Sequence, residues 1–470
     1  MTPLLLPLHG IGGRQDLPVP FGLAVGGAAV AIAVSFVVLA LAWRNPKYRG
    51  NASGIPLPTT ITRPPQHESL VRRAGAWLRW LVRLPGFVIA RTVDEPWFRW
   101  LVRLIGLAIF LYAMVSLIFG VDRLTNPIFG FIYILVWVGL VPISLLLGPV
   151  WRTLNPLRTL HLLLSKAMGQ PPSKGLLELP RWLGLWPAAL GIFAFTWLEL
   201  VAPDRATLPV VQAWMALYVV ITMFGAILFG DRWFSTGDPF EVYATLMARL
   251  SPWGRRDDGA LVIRRPLENL DGLKPRPGLV GMVAALLGST AYDGFSNSTA
   301  WIGWAQDTNY SMTLLGTLAL ICFILFVLVT YSSATLLAGR LSDSSRTALP
   351  RLFAHSVIPI ALGYVVAHYL TLLILEGQRT LIYLSDPLSN GANIFGTGLL
   401  GLNTSITNHS TAIAVTQVLA VVGGHLMGVI SAHDRAVALF PRHRALAGQL
   451  PLLIVMVGYT VGGLLLLFAA

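Results

Sequence analysis

The positive charges of this 470-residue chain fall almost entirely in alternate gaps between ten apolar stretches. The stretches run at about 20–43, 101–119, 127–148, 182–201, 208–230, 278–291, 313–338, 352–376, 412–432 and 451–470. Most reach the roughly 20 residues that a helix needs to cross a bilayer. Of 34 Lys and Arg, 29 lie in the gaps 44–100, 149–181, 231–277, 339–351 and 433–450. Only Arg14, Arg123, Arg205 and Arg379 occupy the intervening segments, and Arg103 opens the second stretch. The positive-inside rule makes the basic gaps cytoplasmic and both termini outward. Ten crossings and one consistent alternation support each other, and the expected fold is an all-α, polytopic membrane helix bundle.

A net charge of +13 in a soluble chain would point to nucleic acid. Here topology and attraction to anionic lipid account for it, so the bilayer is the expected partner and nucleic acid is not. Charged residues make up only 12% of the chain, against roughly 25% in soluble domains, which argues the same way. A single cysteine, Cys322, excludes an intrachain disulfide and any cysteine-built metal cluster. The first 19 residues lack the basic and apolar regions of a cleavable signal, so the first span reads as retained.

Four segments follow. Residues 1–43 hold the outward N-terminal segment and the first span. Residues 44–100 form a cytoplasmic segment, a Pro- and Gly-rich linker followed from Glu68 by tryptophans among arginines, the composition of a helix lying in the membrane interface. Residues 101–277 contain a repeat: Gly148, Trp151 and Asn155-Pro156 recur as Gly230, Trp233 and Asp238-Pro239, each before an amphipathic stretch. Asn or Asp before Pro starts a helix well, because its side chain caps free amides and Pro fits the first turn. Each unit reads as a hairpin of two spans followed by a helix resting on the cytoplasmic face, or as a cytoplasmic binding surface. Residues 278–470 form a five-span bundle.

Within that bundle the sixth span turns polar at Gly288-Ser289-Thr290-Ala291-Tyr292-Asp293, which predicts either an interrupted helix lining a cavity or a short helix with an external loop. The stretch Ile394–Leu402 is too short to span and is expected to dip into the outer leaflet or cover a cavity mouth.

Ionisable residues in spans are costly unless they face the interior and find partners. The outward half holds Glu199, Asp293, His368 and Glu376, with His9, Asp16 and His409 near enough to join and Tyr364 on the His368 face. Such a set can hold a divalent metal, relay protons or activate water, Asp293 and His368 being the first-choice metal ligands. For any one of them a helix-packing contact is the plainer explanation. The inward half holds His355, His425 and His433; His355 and His425 are the alternative metal or haem ligands, if they share a depth. His433-Asp434-Arg435 reads as a charged inner border. No H-E-x-x-H, P-loop, G-x-S-x-G or C-x-x-C motif is present, and Gly10-Ile11-Gly12-Gly13 lacks the strand of a nucleotide loop.

Five strings together resemble a bacterial family of multi-spanning proteins, fenitrothion hydrolase: LHGIGGRQDLPVP (8–20), GPVWRTLNP (148–156), GDPFEVYATLMARLSPWGR (237–255), LLGSTAYDGFSNS (286–298) and FAHSVIPIALGYVVAHYLTLL (353–373). The resemblance implies a bacterial inner membrane location and hydrolysis of an aryl phosphotriester, water attacking phosphorus and a nitrophenolate leaving. It supplies no catalytic residues, so Asp293, His368, Glu199 and Glu376 are candidates on physical grounds. Three readings stand: a membrane-embedded hydrolase, a transporter or channel, and a structural or redox subunit with a second membrane or periplasmic subunit as partner.

Overall fold

A computed structural model of the protein describes residues 13–58, 84–341 and 345–468. Twelve helices carry the architecture: α1 (Phe21–Ala42), α2 (Pro96–Phe119), α3 (Pro127–Val136), α4 (Leu140–Leu147), α5 (Pro156–Ala167), α6 (Trp186–Leu200), α7 (Leu208–Phe229), α8 (Pro239–Met247), α9 (Leu279–Ser296), α10 (Met312–Ala338), α11 (Ile358–Tyr383), α12 (Ser410–Leu439) and α13 (Ala445–Leu467) complete the set when α3 and α4 are taken as one bent element. Eight helical runs among the described residues are long and apolar enough to cross a membrane, and α3 with α4 makes a ninth, bent by 44°. At 15 residues, about 22 Å of rise, α6 is the short tenth apolar helix. The protein is a multi-pass membrane helix bundle, and its spans fall where the ten apolar stretches predict.

Burial separates core from rim. The apolar windows of α1 and α10 are only 17% buried inside the protein, whereas those of α9 and α11 are 78% and 72% buried. Leucine- and valine-rich all-round surfaces suit lipid, and the helices with glycine and hydroxyl residues pack innermost. Gly288 lets α9 approach α10 so closely that a Cβ there would lie 2.6 Å from the Ile324 Cα.

The sixth span is not interrupted: α9 runs unbroken through Ser289, Thr290 and Asp293 to Ser296. Its hydroxyls bond back into the helix, Ser289 and Thr290 donating to the Leu286 carbonyl at 3.1 and 2.9 Å, which satisfies them without a break. The interruption lies in the third span instead. There a π-helical turn, Phe131–Val136, wraps Trp137 and Gly139 onto carbonyls five residues back, Ile132 and Ile134, before α4 resumes. Such a turn is a recognised cause of a helix bend.

The repeated exits are not helices resting on the basic face. After α4 the chain turns at Gly148 and climbs back beside α2, where the Leu154 carbonyl sits 1.9 Å from the position a Cβ would take on Gly106. From there α5 descends until Lys166 lies 4.6 Å above the Trp100 ring near the start of α2. The second unit does the same: Gly230 ends α7, Trp233 packs on Gly225, and Asp238 reaches the Tyr218 hydroxyl further up α7. The nine residues of α8 then descend with eight of them buried, Phe240, Val242, Tyr243, Leu246 and Met247 among them. Both units fold back into the bundle as hairpins, and α8 lies in the interior with its one carboxylate, Glu241, paired there. Of the expected interfacial helix at Glu68–Trp100, residues 68–83 lie outside the described residues, and 84–92 are helical.

The basic face is tied by a small antiparallel sheet, β1 (Ile55–Pro56), β2 (Trp253–Arg255) and β3 (Leu261–Ile263), in the order β1-β3-β2. The border residues of α12 are buried anchors. Asp434 accepts from the Trp43 indole (2.8 Å) and the Lys47 amide (2.6 Å), His433 bridges Gln449 and the Trp43 carbonyl, and Arg435 pairs with Asp271 at 2.7 Å. Stretch 394–402 forms an exposed loop on the opposite face, with Ile394, Phe395, Leu399 and Leu400 uncovered.

Candidate functional site

Two innermost helices bring Asp293 and His368 together. Asp293 stands 14 residues above the start of α9, about 21 Å of rise, and His368 ten residues above the start of α11, about 15 Å. His368 Nε2 lies 2.8 Å from Asp293 Oδ2, and the Tyr369 hydroxyl donates to the same oxygen at 2.8 Å. Asn297 Nδ2 donates to Oδ1 at 3.2 Å from one turn along α9. The His368 and Tyr369 rings meet edge to face at 4.9 Å. Exposure is 2% for Asp293, 8% for His368 and 2% for Tyr369, so the carboxylate is enclosed by the groups that bond it.

Glu199, at the end of α6, joins this centre electrostatically: it lies within charge range of Asp293, and Tyr133, Tyr243 and Tyr369 lie within range of it. Its Oε2 is buried with no hydrogen-bond partner among the described residues. A carboxylate oxygen in that position carries its full desolvation cost. Two carboxylates, an imidazole and phenol hydroxyls thus lie in one enclosed part of the bundle.

The other outward candidates stand elsewhere. Glu376 pairs with Arg379 on its own helix at 3.0 Å, two turns beyond His368. Tyr364 donates to the Tyr459 carbonyl at 3.0 Å and packs against Gly463 of α13. Asp16 caps the Gly13 amide and accepts from Ser410 at 2.7 Å; His409 ends a short turn before α12, exposed. His9 and residues 10–12 of the glycine-rich stretch lie outside the described residues.

The inward histidines do not form a pair. His425 bonds the Val421 carbonyl through Nδ1 and faces Tyr364, whereas His355 bonds the Leu352 carbonyl and lies against Ser431. Val421-to-Ser431 spacing puts the two rings at different depths, since the six residues from His425 to Ser431 span about 9 Å of helix. Axial ligation of one haem needs matched depth. Among the described residues no group of three or more His, Cys, Asp or Glu gathers to hold a metal ion, so the divalent metal expected on Asp293 and His368 would have these two protein ligands.

A second polar centre lies where the two hairpins meet, at the repeated Asn155-Pro156 and Asp238-Pro239. Asn155 caps α5 by accepting from the Leu157 and Arg158 amides, and Asp238 caps α8 by accepting from Phe240 and Glu241. The caps bond each other, Asn155 Nδ2 to Asp238 Oδ2 at 2.7 Å, and the Tyr218 hydroxyl donates to the other Asp238 oxygen at 3.1 Å. Arg158 grips Glu241 with two bonds, Nε to Oε2 at 3.0 Å and Nη2 to Oε1 at 2.6 Å. Between the two centres stands an aromatic layer: Phe195 contacts Trp137, Trp214 and Phe240, and Trp137 stacks on Tyr243 at 5.1 Å.

Comparison with protein-family models, curated proteins and solved structures finds no match for the chain.

Proposed function

We propose that the protein is a proton-coupled membrane transporter in which Asp293 and His368, with Glu199 beside them, form the proton-carrying centre. The observation that carries this reading is the enclosed Asp293–His368–Tyr369 cluster between the two most buried spans. Ionisable groups inside a bundle mark proton relays and substrate paths, because helix packing alone is served at lower cost by apolar side chains. Discontinuous helices flanking such a centre are the recurring frame of secondary transporters. The Asp293 carboxylate, 2.8 Å from Nε2, fixes the orientation of the His368 ring.

The test is substrate-driven proton movement in proteoliposomes enclosing a pH-sensitive dye, screened over organic cations, anions and neutral solutes. At least one class moves protons in the parent protein. Asp293→Asn and His368→Ala abolish that signal, and Glu376→Gln leaves it within about twofold. Proton movement unchanged in Asp293→Asn, or solute uptake that moves no protons, would overturn the assignment.

A second reading, hydrolysis of an aryl phosphotriester, has one observation in its favour. The strings of resemblance at 286–298 and 353–373 contain Asp293 and His368, which lie side by side. In that reading His368, oriented by Asp293, takes a proton from water as its oxygen bonds phosphorus and the aryloxide leaves. Turnover of a chromogenic phosphotriester that disappears in both Asp293→Asn and His368→Ala would favour it; equal turnover in all three proteins would remove it.

A further inference from the structure

We infer that the two re-entrant hairpins form a gate on the basic-face side of the bundle, latched by the Arg158–Glu241 ion pair and the Asn155–Asp238 bond. The inference rests on the transport reading for its purpose, but its geometry is independent of Asp293 and His368.

The latch is the polar seam between the two hairpins. Across that seam, Asn155 bonds Asp238 and Glu241, Arg158 holds Glu241 bidentately with Asp231 at 3.7 Å, and Arg152 reaches Glu241 at 3.8 Å. At its outer edge the Arg152 side chain is 56% exposed, while Glu241 is 0% exposed. A buried ion pair contributes little net stability compared with apolar residues of the same volume, yet breaking one partner is expensive. A seam built this way is held in one state and is readily exchanged for another in which both charges find water.

Each hairpin also has a hinge. Gly148 (φ 71°, ψ −149°) and Gly230 (φ 70°, ψ −168°) adopt the same backbone conformation at the foot of each unit, one that residues with a Cβ rarely adopt. The half-helices above them are short, 12 and 9 residues, so each hairpin can swing as a unit. Beyond the seam the aromatic layer around Phe195 closes the way to Glu199 and Asp293. Protons and solute arriving from the opposite centre would thus leave through the seam once it parts.

The test reads access, not transport. Thr222 lies on α7 one turn from Tyr218, on the face that carries the second hairpin, and is 2% exposed. A Thr222→Cys probe in a Cys322→Ser background is reacted with a water-soluble maleimide in nanodiscs. The parent labels slowly. Glu241→Gln and Arg158→Gln label at least about tenfold faster, and the charge exchange Arg158→Glu with Glu241→Arg returns the rate toward the parent. Should either single variant aggregate, Arg158→Lys replaces it, since a lysine keeps the charge but loses the bidentate grip; an intermediate rate is then expected. Rates within twofold of the parent in every well-dispersed variant would overturn the gate, and an exchange variant as fast as the single ones would remove the ion pair as its latch. Loss of proton coupling in Asp293→Asn with unaltered labelling would leave the gate standing, so failure of the two readings is told apart.

Discussion

The segment from α2 to α8 and the segment from α9 to α13 are built in opposite ways from similar material. In the first, regular spans are broken or extended: α3 and α4 bend at a π turn, and the third and fifth spans each double back into the bundle before leaving it. In the second, α9 to α13 run as long uninterrupted helices whose polar side chains are satisfied one against another. Polarity inside the first segment therefore comes from helix ends, where four amides lack partners by construction, and inside the second from side chains placed along intact helices. A helix end can be moved by a hinge. A side chain on an intact helix moves only with its helix.

Four changes would break or sharpen this contrast. Glu241→Ala leaves the largely buried Arg158 guanidinium with only Asp231, at 3.7 Å, as a carboxylate partner, and is expected to cost about 3 kcal/mol, read as a large fall in the thermal midpoint of detergent-solubilised protein. A small fall there would mean that the helix ends are held by packing alone. Gly106→Ala places a methyl against the Leu154 carbonyl, an overpacking cost of about 3 kcal/mol. Gly458→Ala in α13, which has nothing within 4 Å, is the matched control and should leave the midpoint where it was. In the second segment Tyr369→Phe deletes a bond to a charged acceptor, about 1.5–3 kcal/mol, and should also shift the pH dependence of any Asp293-linked signal, which a purely packing role would not. The smallest effect concerns Asp16. The Ser410 hydroxyl and then the Gly13 amide hold its carboxyl below the ordinary value of 3.8. A depressed folded value means the contact is complete above pH 3.8 and is lost as pH falls through the lowered value. Amide exchange at Gly13–Leu17 should rise only under that acidification, and a rise near neutrality would contradict it.

The contrast also explains what was legible in the amino-acid sequence. Asp293 and His368 stood out because charge is rare in apolar stretches, and they lie 2.8 Å apart. Tyr369 did not, because a tyrosine in an apolar run carries no signal separating a packing role from a bonding one. The recurrence of Gly, Trp and Asn/Asp-Pro marked both hairpins, and the capping roles of Asn155 and Asp238 follow from it. Their depth does not, since the lengths that identify a span cannot distinguish a chain that leaves the membrane from one that turns back. One local clue existed: Phe240, Val242, Tyr243, Leu246 and Met247 make most of the nine residues of α8 large and apolar. The polar run in α9 left an interrupted helix and a short helix with an external loop as alternatives; the helix is unbroken because Ser289 and Thr290 bond their own helix.

The Asp434 anchor has a consequence for how the protein is made. Trp43, Lys47 and Tyr48, just after the first span, bind a carboxylate 386 to 391 residues further along the chain. At roughly 5–20 residues per second of synthesis, the exit of α1 therefore waits for something like 20–80 s before its partner exists. During that interval α1, whose apolar window is only 17% buried even in the finished bundle, is held by lipid alone. Final docking of the first helix belongs among the last events of assembly, and a nascent chain stopped before α12 would lack both helices, α12 and α13, that the first helix packs against.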